Sequence, residues 1–263
     1  MPALELGSSG TKVTKLQQAL LDAGFPPGAI DGDFGAGTEA AVIAYQRSQG
    51  LLADGKAGPR TQAALGLVKT DKLPSVLDKI DVQIVAQMFP HTPLGAIKRN
   101  LPFVLAALEE AKLVDPPMVL MALATIRAET EGFEPIAEGL SRFNTSPNGH
   151  PFDLYDMRAD LGNRGTPDGD DFKGRGFIQL TGRANYQTYG ERLGIDLENH
   201  PDLASDPKVA ARVLAAFLKD KELRIKTALL DDDLRDARRA VNGGSHGLDR
   251  FSEAYEIGDS LIA

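Results

Sequence analysis

Asp115-Pro116-Pro117-Met118-Val119-Leu120-Met121-Ala122-Leu123-Ala124-Thr125-Ile126-Arg127-Ala128-Glu129 is the stretch that sets the fold class. Asp115 can cap a helix with its carboxylate. Pro116 and Pro117 are tolerated in the first turn, where their missing amides have no helical partner to lose. Met118, Met121, Ala122, Thr125 and Ile126 fall on one stripe. Leu120 and Leu123 extend the apolar surface almost all round, so the spacing predicts a central, buried helix in a mostly α domain. Glu129 continues the stripe. A carboxylate there is desolvated, the condition a general acid needs near neutral pH; a Glu turned to solvent at a frayed helix end is the alternative that pattern alone leaves open.

Working outward, Gly132 and Pro135 end that helix, and a second carboxylate, Glu138, follows. On a continuous helix the two would stand about 13 Å apart by rise, whereas a broken connection lets the chain fold back. Two carboxyls about 6.5–9.5 Å apart with a water between them suit an inverting glycosidase; the spacing permits that separation without demanding it. Residues 141–172 form a Gly/Pro/Asn/Asp-rich stretch of little periodicity, and a loop of that length inside a compact domain is usually functional or disordered. It leads into Lys173-Gly174-Arg175-Gly176-Phe177-Ile178-Gln179-Leu180-Thr181-Gly182-Arg183-Ala184-Asn185-Tyr186. In an extended conformation Gln179 and Thr181 point to one side, as hydrogen-bonding groups for a sugar or a water; a polar strand at a solvated edge is the plainer alternative.

Toward the N-terminus the chain changes character. Asp31-Gly32-Asp33-Phe34-Gly35-Ala36-Gly37-Thr38 recurs as Asp54-Gly55-Lys56-Ala57-Gly58-Pro59-Arg60-Thr61. Each copy supplies Asp-Gly for a turn, a second Gly for a positive φ and a Thr to start a helix. Val13, Leu16 and Leu20 mark one helix, ended by Gly24, and Val42 and Tyr45 another. Residues 1–66 are thus expected to form a small helical domain, 67–79 a charged, Pro-containing linker, and 80–263 a larger helical domain.

Composition narrows the chemistry. The 263 residues include no Cys and only four scattered His, which excludes disulfides and a Cys nucleophile and argues against metal catalysis; no metal or cofactor is expected. The formal net charge is −8, of which residues 1–66 carry −1 and the remainder −7, a balance that disfavours nucleic acid. Met1-Pro2-Ala3-Leu4-Glu5-Leu6-Gly7-Ser8 lacks the basic and apolar regions of a signal peptide, and no stretch approaches the apolar length of a membrane span. A monomer is expected.

Two resemblances rest on these residues. Gly10-x-x-Val13-x-x-Leu16-Gln17, Gly24-Phe25, Asp31-Gly32-x-Phe34-Gly35-x-x-Thr38, Ala41-Val42-x-x-Tyr45-Gln46, Gly50-Leu51 and Asp54-Gly55-x-x-Gly58-x-x-Thr61 resemble the peptidoglycan-binding type 1 domain. That implies a three-helix module docking on bacterial cell-wall glycopeptide. The same Gly, Asp and Thr are also turn chemistry, so spacing does not single out contact residues. Ala128-Glu129-Thr130-Glu131-Gly132-Phe133, Glu138-Gly139-Leu140-Ser141, Leu161-Gly162-Asn163, the run from Gly174 to Tyr186 and Ala240-Val241-Asn242-Gly243-Gly244 resemble glycoside hydrolase family 19 in its compact bacterial and phage form. The resemblance implies a lysozyme-like, two-lobed α-helical domain that hydrolyses β-1,4 bonds of N-acetylglucosamine-containing polymers with inversion.

Position by position, it implies that Glu129 is the general acid, Glu138 the general base and Thr181 the holder of the nucleophilic water. Gln179, Asn185 and Asn242 match sugar-contacting residues, Tyr186 stays open between packing and binding, and Arg250 corresponds to a cleft arginine. Ala128 stands where relatives often carry His, and Glu131 would face away from Glu129 by about 200° on a helix. The whole implies a modular cell-wall hydrolase, an N-acetylmuramidase-type endolysin acting on peptidoglycan glycan strands after holin-dependent or machine-dependent delivery. A chitinase, a lytic transglycosylase and a wall-binding protein without activity are the alternatives. Gly243-Gly244-Ser245-His246-Gly247 satisfies G-x-S-x-G but follows a helical run and reads as a cap and turn. Asp231-Asp232-Asp233 and Asp168-Gly169-Asp170-Asp171 read as solvated loops or caps, and Asn144-Thr145-Ser146 as a sequon without meaning in a bacterial or phage protein.

Overall fold

A computed structural model describes residues 3–49, 51, 53–67, 75–230, 233–244 and 246–262. They fall into two compact units, one holding the described residues up to 67 and those between 223 and 240, the other holding residues 75–222 and the described residues from 241. The chain is mostly α, as its patterning predicts, and β pairing among the described residues is confined to isolated bridges.

In the first unit, helices α1 (Thr11–Asp22), α2 (Ala36–Ser48) and α3 (Pro59–Ala64) follow one another. Val13, Leu16 and Leu20 of α1 pack with Phe34, Val42, Tyr45 and Ala57, and Phe25 meets the Tyr45 ring edge-on at 5.4 Å. The sequence repeat has a structural cause. Gln17 is buried and its Nε2 donates to Asp31 Oδ1 at 3.0 Å, to the Asp33 carbonyl at 3.1 Å and to Thr38 Oγ1 at 3.2 Å, while its Oε1 accepts from Gly32 N at 2.9 Å. Gln46 makes the same set: Nε2 to Asp54 Oδ1 at 2.9 Å, to the Lys56 carbonyl at 2.9 Å and to Thr61 Oγ1 at 3.1 Å, with Oε1 accepting from Gly55 N at 3.1 Å. One buried amide thus satisfies one Asp-Gly turn and one helix start in each half, as buried polar groups require. The Gln17 amide and the Asp33 backbone hold the Asp31 carboxyl below the usual carboxylate range.

In the second unit, Asp81 caps α4 (Val82–Met88) by accepting from Gln83 N and Ile84 N, both at 2.9 Å; α5 (Leu94–Glu110) follows. Asp115 caps α6 (Pro116–Thr130) through Met118 N at 3.2 Å. Every side chain from Met118 to Ala124 is fully buried, which bears out the central helix. Beyond the short helices α7 (Asp153–Asp156) and α8 (Asp168–Asp171) come α9 (Arg183–Leu193), α10 (Pro207–Leu230), whose last turns fall to the first unit together with most of α11 (Leu234–Asn242), and α12 (Leu248–Ile262). Helix α12 packs along α6 so closely that a Cβ on Gly258 would lie 2.5 Å from Leu120 Cδ2.

Of the stretch expected as a linker, residues 68–74 lie outside the described residues, as do Gly50, Asp231, Asp232 and Ser245. Val76 is buried and its amide donates to the Val114 carbonyl at 2.9 Å. Asp233 accepts from Asp236 N at 2.8 Å, the helix-cap reading of the acidic run. Asp168 departs from expectation. It is 3% exposed rather than solvated, because its carboxylate is clamped by Arg183, whose Nε donates at 2.9 Å.

Candidate active site

Glu138 lies on an extended segment tied to a second one. Its amide donates to the Gly174 carbonyl at 2.7 Å, Gly176 N donates to the Ile136 carbonyl at 2.9 Å, and Ala137 bridges antiparallel to Arg175. The second segment then turns on itself. Arg175 N donates to the Leu180 carbonyl at 3.2 Å and Leu180 N to the Arg175 carbonyl at 2.9 Å. Gln179 is therefore not extended but adopts φ 51°, and this turn, not a strand, brings Gln179 and Thr181 to one side. Gly174 is the point on which they converge. A Cβ there would stand 2.9 Å from Gln179 Oε1, 3.2 Å from Glu138 Oε2 and 3.3 Å from Thr181 Oγ1. Gln179 is oriented by its Nε2, which donates to the carbonyls of Ile136 at 3.0 Å and Gly176 at 3.1 Å; Thr181 Oγ1 donates to the Gln179 carbonyl at 2.9 Å.

Glu138 is held by three donors. Oε1 accepts from Asn144 Nδ2 at 2.9 Å and from the Tyr155 hydroxyl at 3.0 Å, and Oε2 from Gly174 N at 3.2 Å. Burial, with the Glu138 charge behind it, pushes the Tyr155 phenol up to about 12, so it remains a donor at any physiological pH. Asn144 and Tyr155 went unrecognised in the sequence because they sit in an aperiodic loop. Asn144 invited only the sequon reading, yet it is fully buried.

The loop owes its order to polar stitches. Leu154 N donates to the Asn144 carbonyl at 3.3 Å, and Phe152 N to Thr145 Oγ1 at 3.0 Å. Asn163 donates to the Tyr155 carbonyl at 2.8 Å and accepts from Arg183 N at 2.9 Å, joining the Leu161-Gly162-Asn163 motif to the start of α9. Gly162 has φ 74°, and a Cβ there would lie 2.6 Å from that of Ala184, so no other residue fits. Arg183 reaches Asp168 and, through Nη1 at 2.9 Å, Glu198; Asp168 is held below the usual carboxylate range chiefly by Arg183.

The remaining expected residues are placed as follows. Asn185 Nδ2 donates to the Thr181 carbonyl at 2.7 Å, which fixes the residue bearing the candidate water-holding hydroxyl. Tyr186 has no exposed surface; its hydroxyl donates to the Lys173 carbonyl at 2.8 Å and accepts from Arg175 Nη1 at 3.1 Å. Burial thus gives Tyr186 the packing role of the two left open. Glu129 is partly exposed in the last turn of α6. Glu131 takes φ 51° just past that helix and pairs with Arg250. Asn242 is exposed and organises the turn after α11, donating to the His246 carbonyl at 3.2 Å and accepting from Gly244 N at 3.0 Å. That turn abuts the residue before Glu129: with φ 68°, Gly247 would carry a Cβ 3.3 Å from that of Ala128. The small Ala128 suits this close approach.

Two family models match separate parts of the chain. The model named "Putative peptidoglycan binding domain" matches residues 9–65, and the model named "Chitinase class I" matches residues 149–222, a span that holds Gln179, Thr181, Asn185 and Tyr186 and begins after both carboxylates. A glycosyl hydrolase family 19 domain-containing protein of Haemophilus influenzae is 27% identical over 190 residues, covering 64% of this chain and 90% of that protein. Chitinase 11 of Oryza sativa subsp. japonica is 47% identical over 74 residues, 28% of this chain and 27% of that protein. The N-acetylmuramoyl-L-alanine amidase CwlM of Mycobacterium tuberculosis is 48% identical over 56 residues, 21% of this chain and 14% of that protein. The chain thus spans most of the first relative and about a quarter or less of the other two. It joins a peptidoglycan-binding domain to a glycoside hydrolase family 19 domain and is a glycoside hydrolase.

Proposed function

We propose that the protein is a peptidoglycan hydrolase of the N-acetylmuramidase type that cleaves β-1,4 glycosidic bonds by single displacement. The observation that carries the reading is the convergence of Glu138 Oε2, Gln179 Oε1 and Thr181 Oγ1 on one small volume beside Gly174. A water held there has a carboxylate to accept its proton and a hydroxyl to fix its position. Glu129, in the last turn of α6, donates its proton to the leaving oxygen as the glycosidic bond breaks. The water oxygen bonds to the opposite face of the sugar carbon while its proton passes to Glu138. Neighbouring polar groups stabilise the charge that develops on the ring. The N-terminal domain supports peptidoglycan as the polymer, since tethering raises the local concentration of the catalytic domain at an insoluble wall.

A chitinase is the second reading, favoured by the match to Chitinase class I. Release of reducing ends from purified peptidoglycan and from colloidal chitin separates the two: faster release from peptidoglycan is expected, and chitin-only release overturns the first reading. Glu129→Gln is expected to abolish turnover with the fold intact, and substantial activity in that variant removes Glu129 from the mechanism.

A further inference from the structure

The two oxygens of Glu138 have different surroundings. An ionised carboxylate offers about four lone-pair sites, two on each oxygen. Oε1 already accepts two hydrogen bonds, from Asn144 Nδ2 at 2.9 Å and from the Tyr155 hydroxyl at 3.0 Å. Oε2 accepts one, the longer bond from Gly174 N at 3.2 Å, and is the oxygen nearest the point shared with Gln179 and Thr181. Neither partner of Oε1 is free to turn away. The Oδ1 of Asn144 accepts from Ser141 N at 2.8 Å and from Thr145 Oγ1 at 2.9 Å, so the amide can present only its Nδ2 to Glu138. The Tyr155 backbone is pinned through its carbonyl by Asn163 at 2.8 Å.

We propose that Asn144 and Tyr155 are positioning residues that saturate Oε1 of Glu138, set the plane of its carboxylate and leave Oε2 as the oxygen that takes the proton of the attacking water. Without them the plane of the carboxylate is no longer fixed, so that an acceptor lone pair is aimed at the water beside Thr181 for only part of the time. A loss of orientation of this kind slows the chemical step and leaves substrate affinity unchanged. The inference rests on the reading of Glu138 as the general base.

The test compares the full-length wild type with Tyr155→Phe, which keeps the ring and removes one donor, and with Glu138→Gln. The substrate is whichever of soluble peptidoglycan fragments and glycol chitin the wild type cleaves. For Tyr155→Phe, kcat is expected to fall about 10- to 100-fold, the size of effect seen when a ligating group loses its orienting partner, with KM within about twofold. Measured again in a Glu138→Asp background, where the shortened carboxylate no longer meets the phenol, Tyr155→Phe is expected to add little; a purely structural role gives the same loss in both backgrounds, even if the variant is less stable. Full turnover in Glu138→Gln overturns the general-base reading and the proposal together. An inactive Glu138→Gln beside a Tyr155→Phe with wild-type kcat, a changed KM alone or an additive loss overturns the proposal and leaves the base in place.

Discussion

Replacing Gly174 by Ala places one methyl group at the spot where the attacking water is proposed to stand. The backbone of Gly174 does not require glycine, since its φ lies outside the left-handed range, so the substitution acts through space alone. The added Cβ would approach Gln179 Oε1 to 2.9 Å, Glu138 Oε2 to 3.2 Å and Thr181 Oγ1 to 3.3 Å. All three are side-chain ends and can retreat by a few tenths of an ångström, at a cost of about 0.5–1.5 kcal/mol for an off-rotamer torsion. In a domain of this size that lowers the unfolding midpoint by only about 1–6 °C. Catalysis suffers more, because the methyl excludes the water and the retreat widens the gap between base and hydroxyl. Misplacement by about 1 Å costs roughly 100-fold in rate, so with the water displaced as well kcat is expected to fall by about 100- to 1000-fold, or about 2.7–4 kcal/mol.

The measurement is initial-rate release of reducing ends, with thermal unfolding on the same samples. Gly139→Ala is the control: Gly139 adjoins Glu138, but a Cβ there meets nothing within 4 Å, and near-normal activity is expected. Wild-type turnover in Gly174→Ala would refute the placement of the water between Glu138 and Thr181.

Three further outcomes are expected. Gln17→Ala and Gln46→Ala each remove the four hydrogen bonds of a buried amide and should destabilise the N-terminal domain by similar amounts, about 2–4 kcal/mol, seen as faster hydrogen exchange at Gly32 and Gly55; a large difference between them would deny the equivalence of the halves. Thr125→Val replaces a buried hydroxyl that has no protein partner by a methyl of similar volume and should raise stability by about 1 kcal/mol in denaturant unfolding; a loss of that size would mean the hydroxyl is satisfied. Asp168 is ionised in the fold to lower pH than in the unfolded chain, so its contribution is complete at neutral pH and is lost as pH falls below about 4; Asp168→Asn should cost about 2–3 kcal/mol at pH 7, less than a fully buried pair because Arg183 keeps Glu198, and the difference from wild type should shrink below pH 4.

The parts legible in the sequence are those fixed by local periodicity or by turns of defined chemistry. Helix α6 announces itself because a helix buried on all sides needs apolar residues on all sides, and Val13, Leu16 and Leu20 fall into the core because their spacing is helical. The repeated Asp-Gly turns are equally visible, although the Gln that serves each turn lies at a different distance in the two halves and gives no pattern of its own. Glu138, Gln179 and Thr181 could be nominated by residue type, but their meeting depends on the 175–180 turn, which the alternation of polar and apolar residues disguises as a strand. The 141–172 loop was opaque for a general reason. Its conformation is held by side chains reaching groups many residues away, such as Asn163 to the Tyr155 carbonyl and Asp168 to the Arg183 guanidinium, and such bonds leave no period. The same reason turned Asp168, a buried anchor, into an apparent surface acid.

The two candidate catalytic carboxylates therefore stand on different kinds of support. Glu129 stands in the last turn of a helix whose position is set by dense apolar packing, which suits a group that must meet a leaving oxygen in one geometry. Glu138 sits on an irregular segment whose position is set by hydrogen bonds, and the same bonds that hold the segment supply donors to the carboxylate. For a base this coupling has a use. Donors that order the loop also orient the carboxylate, so folding of the loop and alignment of the base are one event. An apolar support of equal rigidity would fix Glu138 in space but would desolvate its charge without replacing the lost water contacts. That is a physical reason for a long polar loop, rather than a second buried helix, to carry the proposed base.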